Sequence, residues 1–92
     1  MVTEAKSRTY SDMAIPPGEV LAEELEARSM TQRQLADEMG RPAQVINEII
    51  KGKKAITPAT ALQLEDALGP SAEFWMGLQT TYGLTLARTA RS

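Results

Sequence analysis

Residues 31–52 read TQRQLADEMGRPAQVINEIIKG, two short helical patterns separated by a glycine and a proline. Thr31 followed by Gln34 has the spacing of a capping box, in which the threonine oxygen accepts from the N3 amide and the glutamine side chain reaches back. A helix therefore starts at Thr31, with Leu35, Ala36 and Met39 as its buried stripe. Gly40 supplies the left-handed backbone that closes it. Pro42 suits the first turn of the next helix and biases Arg41 towards the extended backbone of a cap position. That next helix runs to about Lys51 and ends at Gly52, with Ile46, Ile49 and Ile50 inward and Val45 at the margin. A helix-turn-helix needs a small residue where its helices cross, a turn residue tolerant of positive φ, and aliphatic anchors on one side of the second helix. Ala36, Gly40, Ile46 and Ile49 meet these needs at successive spacings of four, six and three.

Two helices cannot bury both of their apolar stripes alone, so the flanks should complete a small bundle. Upstream, IPPGEV places Pro16 and Pro17 at the start of a helix near Pro17 or Gly18, with Val20, Leu21, Leu25 and Ala27 forming an apolar stripe opposite Glu19, Glu23 and Glu26. Downstream, Thr57 caps a helix with Pro58 in its first position and Ala61, Leu64, Ala67 and Leu68 at helical spacing, closed by Gly69-Pro70. Ser71 then caps a last helix expected to reach about residue 83, in which Phe74, Trp75, Leu78 and Tyr82 share a broad apolar sector. No stretch alternates with period two, and nothing repeats internally. The reading is an all-α fold of five helices: a helix-turn-helix domain over residues 15–92, preceded by a flexible N-terminal arm over residues 1–14.

The chain of 92 residues suits one compact domain, and its hydrophobic content of 42% argues against wholesale disorder. It contains neither cysteine nor histidine, which removes disulfides, thiolate metal sites and imidazole chemistry together. Catalysis would then need carboxylates or a serine-lysine pair, and Asp37, Glu38 and Glu48 lie on or near exposed helical faces. No catalytic residue, metal ligand, cofactor or small-molecule substrate is expected. No signal-like apolar run and no membrane span appear, so a soluble cytoplasmic protein is expected.

The net charge of −2 hides a gradient: residues 1–27 sum to −4, residues 28–54 to +3 and the remainder to −1. Positive charge is thus gathered around the helix-turn-helix. With Ile46 and Ile49 inward, the outward positions of the second helix are Ala43, Gln44, Asn47, Glu48 and Lys51. In the major groove, Gln or Asn pairs with adenine in a bidentate manner, so Gln44 and Asn47 are the base-reading candidates. Ala43 permits close approach and contact with a thymine methyl. Glu48 either accepts from a cytosine amine or repels phosphate, and is expected at the edge. Gln32 and Arg33, at the start of the first helix of the motif, and Lys51, Lys53 and Lys54, beyond the end of the second, are positioned for the phosphates of the two strands. A plain solvated loop is the structural alternative for the lysines.

The segments TQRQLADEMG and INEIIKGKKAIT resemble the helix-turn-helix of the phage-repressor superfamily. Together with PPGEVL, TALQLEDALG and EFWMGLQTTYGL they resemble the HigA antitoxins of the HigA/VapI group, over about residues 15–87. The resemblance implies a phage-repressor-like five-helix DNA-binding fold, a homodimer on palindromic operator DNA, repression of its own operon, and neutralisation of a HigB-type toxin that cleaves messenger RNA. Residues 43 and 44 lie where members vary, which leaves the operator sequence open.

Aromatics beyond what a terminal helix can cover would mark a partner surface. On that basis Phe74 and Leu78 are assigned to the core, and Trp75, Gln79 and Tyr82 to a dimer interface. Glu19, Glu23, Glu24 and Glu26 form either a solvated face or a surface attractive to a basic toxin. Two other functions stay open at this point: a stand-alone transcriptional regulator, and a helical protein-interaction module.

Overall fold

The computed structural model describes residues 15–91; the expected N-terminal arm lies outside them. Five helices follow in order: α1 (Pro17–Ala27), α2 (Gln32–Met39), α3 (Ala43–Ile50), α4 (Pro58–Leu68) and α5 (Ala72–Arg91), with no strand among the described residues. They enclose an aliphatic core of Leu21 and Leu25 from α1, Leu35, Ala36 and Met39 from α2, Ile46 and Ile49 from α3, and Leu64 and Leu68 from α4. Trp75 from α5 closes it. The third helix packs on α1 and α2, while α5 lies along α4 and touches α1.

Pro16 and Pro17 start α1 by fixing φ, without a side-chain cap. Gly18 is buried because α1 meets the end of α3 backbone to backbone. A Cβ there would stand 2.1 Å from the Ile49 carbonyl oxygen and 2.7 Å from the Ile50 Cα. The helix ends with the Met30 amide donating to the Leu25 carbonyl (2.9 Å) and the Ser29 amide to the Glu26 carbonyl (3.1 Å), the Schellman arrangement. Its left-handed position, normally glycine, is Ser29 at φ 53°. Holding a non-glycine residue there costs about 1–2 kcal/mol. Ser29→Gly is therefore expected to stabilise the fold by about 1 kcal/mol after the greater freedom of unfolded glycine is deducted. Urea unfolding followed on Trp75, the single tryptophan, would show a raised midpoint with an unchanged slope.

The capping box of α2 forms as the sequence indicates, with the Gln34 amide donating to Thr31 Oγ1 (3.0 Å) and the Thr31 amide to Gln34 Oε1 (2.7 Å). Gly40 closes the helix at φ 66°. The next boundary differs by one residue. Pro42 is itself the cap (φ −64°, ψ 144°), so α3 begins at Ala43. Arg41 is drawn instead into the end of α2 by its amide bond to the Ala36 carbonyl (2.9 Å), which frees its side chain to reach α4.

Two expectations for α5 are corrected. The helix does not stop near residue 83: Gly83 stays in right-handed geometry, and Thr85 and Thr89 donate their hydroxyls to the Thr81 and Thr85 carbonyls at 2.8 and 2.9 Å. Trp75, assigned to a dimer surface, is 0% exposed at the centre of the core, whereas Phe74, assigned to the core, is 42% exposed. Adjacent helical residues point about 100° apart, and the apolar sector is broad enough to admit either phase. Contact with α4 and α1 selects the one that buries the indole. Phe74 packs edge-on against it, with ring centroids 5.2 Å apart.

Candidate nucleic-acid interface

With Ile46 and Ile49 locked into the core, the opposite side of α3 faces outward. Ala43 and Gln44 are exposed, as is Lys51 just past the helix, while Asn47 and Glu48 are half-buried. The base-reading candidates therefore share one accessible face. Both amides already have partners: Gln44 Nε2 donates to Glu48 Oε2 (3.2 Å), and Asn47 Nδ2 donates to Gln32 Oε1 (3.2 Å). Gln32, the first residue of α2, thus braces a residue of α3, a link across the motif that helical periodicity does not reveal. The Gln44–Glu48 contact has the i,i+4 spacing of helix neighbours, so that signal was present in the sequence. It makes Glu48 a partner of Gln44 rather than an outlying acid.

The basic loop after α3 is built, not loose. Amides of Lys53 and Lys54 both donate to the Glu48 carbonyl (2.8 and 3.2 Å), Gly52 turns at φ 78°, and Ile56 is buried at the far end. The Ile56 amide donates to Gln79 Oε1 (2.8 Å), which fastens the loop to α5. Gln79 and Tyr82 line a recess beneath that loop together with Pro17, Gly18, Lys53 and Lys54. Gln79, expected at a dimer interface, is thus committed within its own chain, and Tyr82 is half-buried there.

Of the six bases in residues 28–54, two are diverted. Arg41 Nη1 donates to Gln63 Oε1 (2.9 Å) and Thr60 Oγ1 (3.5 Å), tying the turn of the motif to α4. Arg28 pairs with Glu24 and donates through Nη2 to the Leu68 carbonyl (2.5 Å), joining the ends of α1 and α4. Arg33, Lys51, Lys53 and Lys54 stay exposed, at the start of α2 and beyond the end of α3. Glu19, Glu23 and Glu26 are exposed on α1, while the Glu24 charge is compensated by Arg28. No helix among the described residues is long and apolar enough to cross a membrane.

The HTH_3 family, described as helix-turn-helix, matches residues 21–75. The chain belongs to that helix-turn-helix family. The matched region runs from one fully buried core residue, Leu21, to another, Trp75, and leaves the far end of α5 outside it. This helix-turn-helix chain is 39% identical over 75 residues to virulence-associated protein I of Dichelobacter nodosus, covering 80% of this chain and 69% of that protein. Its fold is similar to that of an addiction module antidote protein of the HigA family from Coxiella burnetii, with TM-score 0.80 and 38% identity, over 84% of this chain and 85% of that one. The Pseudomonas aeruginosa antitoxin HigA, solved with the higBA promoter, superposes with TM-score 0.81 at 33% identity, over 85% of this chain and 86% of that one. The phage-repressor-like five-helix fold and the likeness to the HigA/VapI group inferred from the motifs both hold.

Proposed function

We propose that the protein is a cytoplasmic antitoxin that binds operator DNA as a homodimer, represses its own operon and neutralises a HigB-type toxin, with no chemistry of its own. The observation that carries the DNA reading is the outward face of α3: Gln44 and Asn47 stand on it, between the exposed Arg33 of α2 and the exposed lysines 51, 53 and 54. The similarity to an antitoxin solved with its promoter supports the same reading. In this assignment Ala43, Gln44 and Asn47 meet base edges with Glu48 at their margin, while Gln32, Arg33, Lys51, Lys53 and Lys54 meet phosphates.

A dimer would set two copies of α3 about 34 Å apart, one DNA turn, on a palindromic site. The surface offered for a dimer is the C-terminal part of α5, where Leu84 and Leu86 are 48% and 45% exposed. The exposed carboxylates of Glu19, Glu23 and Glu26 are the surface assigned to the basic toxin.

Titration of the promoter upstream of the gene should give a retarded band at low salt. If each half-site neutralises three or four phosphates, log K should fall against log salt with a slope of about −5 to −7. Absence of a band at low salt would remove the DNA reading. Co-purification with the product of the neighbouring reading frame tests the toxin arm separately: a small basic partner retained on the antitoxin supports it, and its failure to associate leaves a stand-alone regulator.

A further inference from the structure

The two amides on α3 are held in different ways. Asn47 meets Gln32, another amide, and either orientation of such a pair leaves one donor facing one acceptor. Gln44 meets the carboxylate of Glu48 at 3.2 Å, and a carboxylate only accepts. The direction of that hydrogen bond is therefore set by chemistry: Gln44 must turn its NH2 group back along the helix, which leaves its carbonyl oxygen as the free end. Glu48 is well placed to hold it, because it is half-buried and its own backbone carbonyl is fixed by the amides of both Lys53 and Lys54.

We infer that Glu48 is a specificity-determining positioning residue: it orients the Gln44 amide so that an outward carbonyl selects a base edge carrying an exocyclic amine. In the major groove those edges are N6 of adenine and N4 of cytosine, whereas guanine and thymine present the acceptors O6 and O4. Adenine ranks first, since the second hydrogen of Gln44 Nε2 can still donate to its N7 while the carbonyl accepts from N6. An unrestrained glutamine could flip and donate to guanine; the carboxylate of Glu48 opposes that flip. The inference rests on the reading that α3 enters the major groove, and it gives Glu48 a role through Gln44 in place of a direct contact with base or phosphate.

The test uses the full chain and duplexes selected from a randomised pool by the wild-type protein. The base pair read by residue 44 is the one whose preference disappears in Gln44→Ala. Fluorescence anisotropy is then measured with all four base pairs at that position for wild type, Glu48→Gln, Glu48→Ala and the double variant Gln44→Ala/Glu48→Ala. Wild type should favour adenine over guanine by about tenfold, the scale of a good amide–base pair. Both Glu48 variants should bring that ratio to within about twofold, with preferences elsewhere in the site retained, and in the Gln44→Ala background the second substitution should change no ratio. A merely electrostatic Glu48 would instead give higher affinity for all four duplexes with the ratio untouched, which would overturn the inference, as would a wild-type preference for guanine or thymine. Failure of the wild-type protein to enrich any sequence would sink the underlying assignment of α3 as well, and so is distinguishable from those outcomes.

Discussion

Gly18→Ala is expected to be among the most damaging single substitutions in this protein. The added methyl carbon would sit 2.1 Å from the Ile49 carbonyl oxygen and 2.7 Å from both the Cα and the carbonyl oxygen of Ile50. All three atoms are backbone, so no rotamer change relieves the overlap, and α1 must lift away from the end of α3. Overpacking in a core typically costs about 1–3 kcal/mol where side chains can yield, and a rigid contact lies at or beyond the upper figure. Against a total stability of about 5–15 kcal/mol, with a small domain near the lower end, this removes much of what holds the fold. Thermal unfolding followed by circular dichroism and by Trp75 emission should show a midpoint lowered by well over 10 °C or no cooperative transition. A shift of only a few degrees would mean that the two helices do not meet as closely as the structure has them. Because α3 bears the proposed base-reading face, a surviving variant should also bind DNA poorly through misplacement of that helix.

Neutralising Lys51, Lys53 and Lys54 together is expected to have the largest effect on DNA binding. Each phosphate contact contributes about 0.9 to the salt slope, so at 0.1 M salt its loss weakens binding roughly eightfold, and three contacts in one half-site amount to about 500-fold. The slope itself should flatten by about 2.7 per half-site. Replacement by glutamine keeps the side chains long and polar, and since all three residues are exposed, unfolding midpoints should remain near wild type. Base preference at the positions read by Gln44 and Asn47 should persist in whatever binding is left, because phosphate contacts carry no sequence information directly. An unchanged slope would show that the loop is only a solvated charge cluster.

Most helix boundaries were legible because they depend on neighbours a few residues away; the start of α3, later by one residue, and the end of α5, at Arg91 rather than near residue 83, were not. Thr31 and Gln34, Gly40, Thr57 with Pro58, and Ser71 all cap or close helices where local chemistry indicates. The inward stripe of α3 was legible for the same reason, and with it the outward face carrying Gln44 and Asn47. Less legible was the fate of the arginines: Arg28 and Arg41 look like DNA-facing charge in a net-charge profile, yet both are spent on contacts within the fold. The same limit applied to α5, where four apolar residues in one sector do not say which of Phe74 and Trp75 is covered.

The sequence by itself determined five helices, most of their caps, the helix-turn-helix and the side of α3 that faces outward, since these follow from hydrogen bonds and periodicities spanning one or two helical turns. Only the tertiary structure decided the contacts between residues distant in the chain. It seated Trp75 in the core, brought Gly18 against the α3 backbone, joined Arg28 to a carbonyl 40 residues away and Arg41 to a side chain 22 away, and tied the basic loop to Gln79 across 23 residues. The physical reason is that local propensity constrains each helix on its own axis. The rotation of one helix about that axis and its distance from the next are set by close packing among all of them at once.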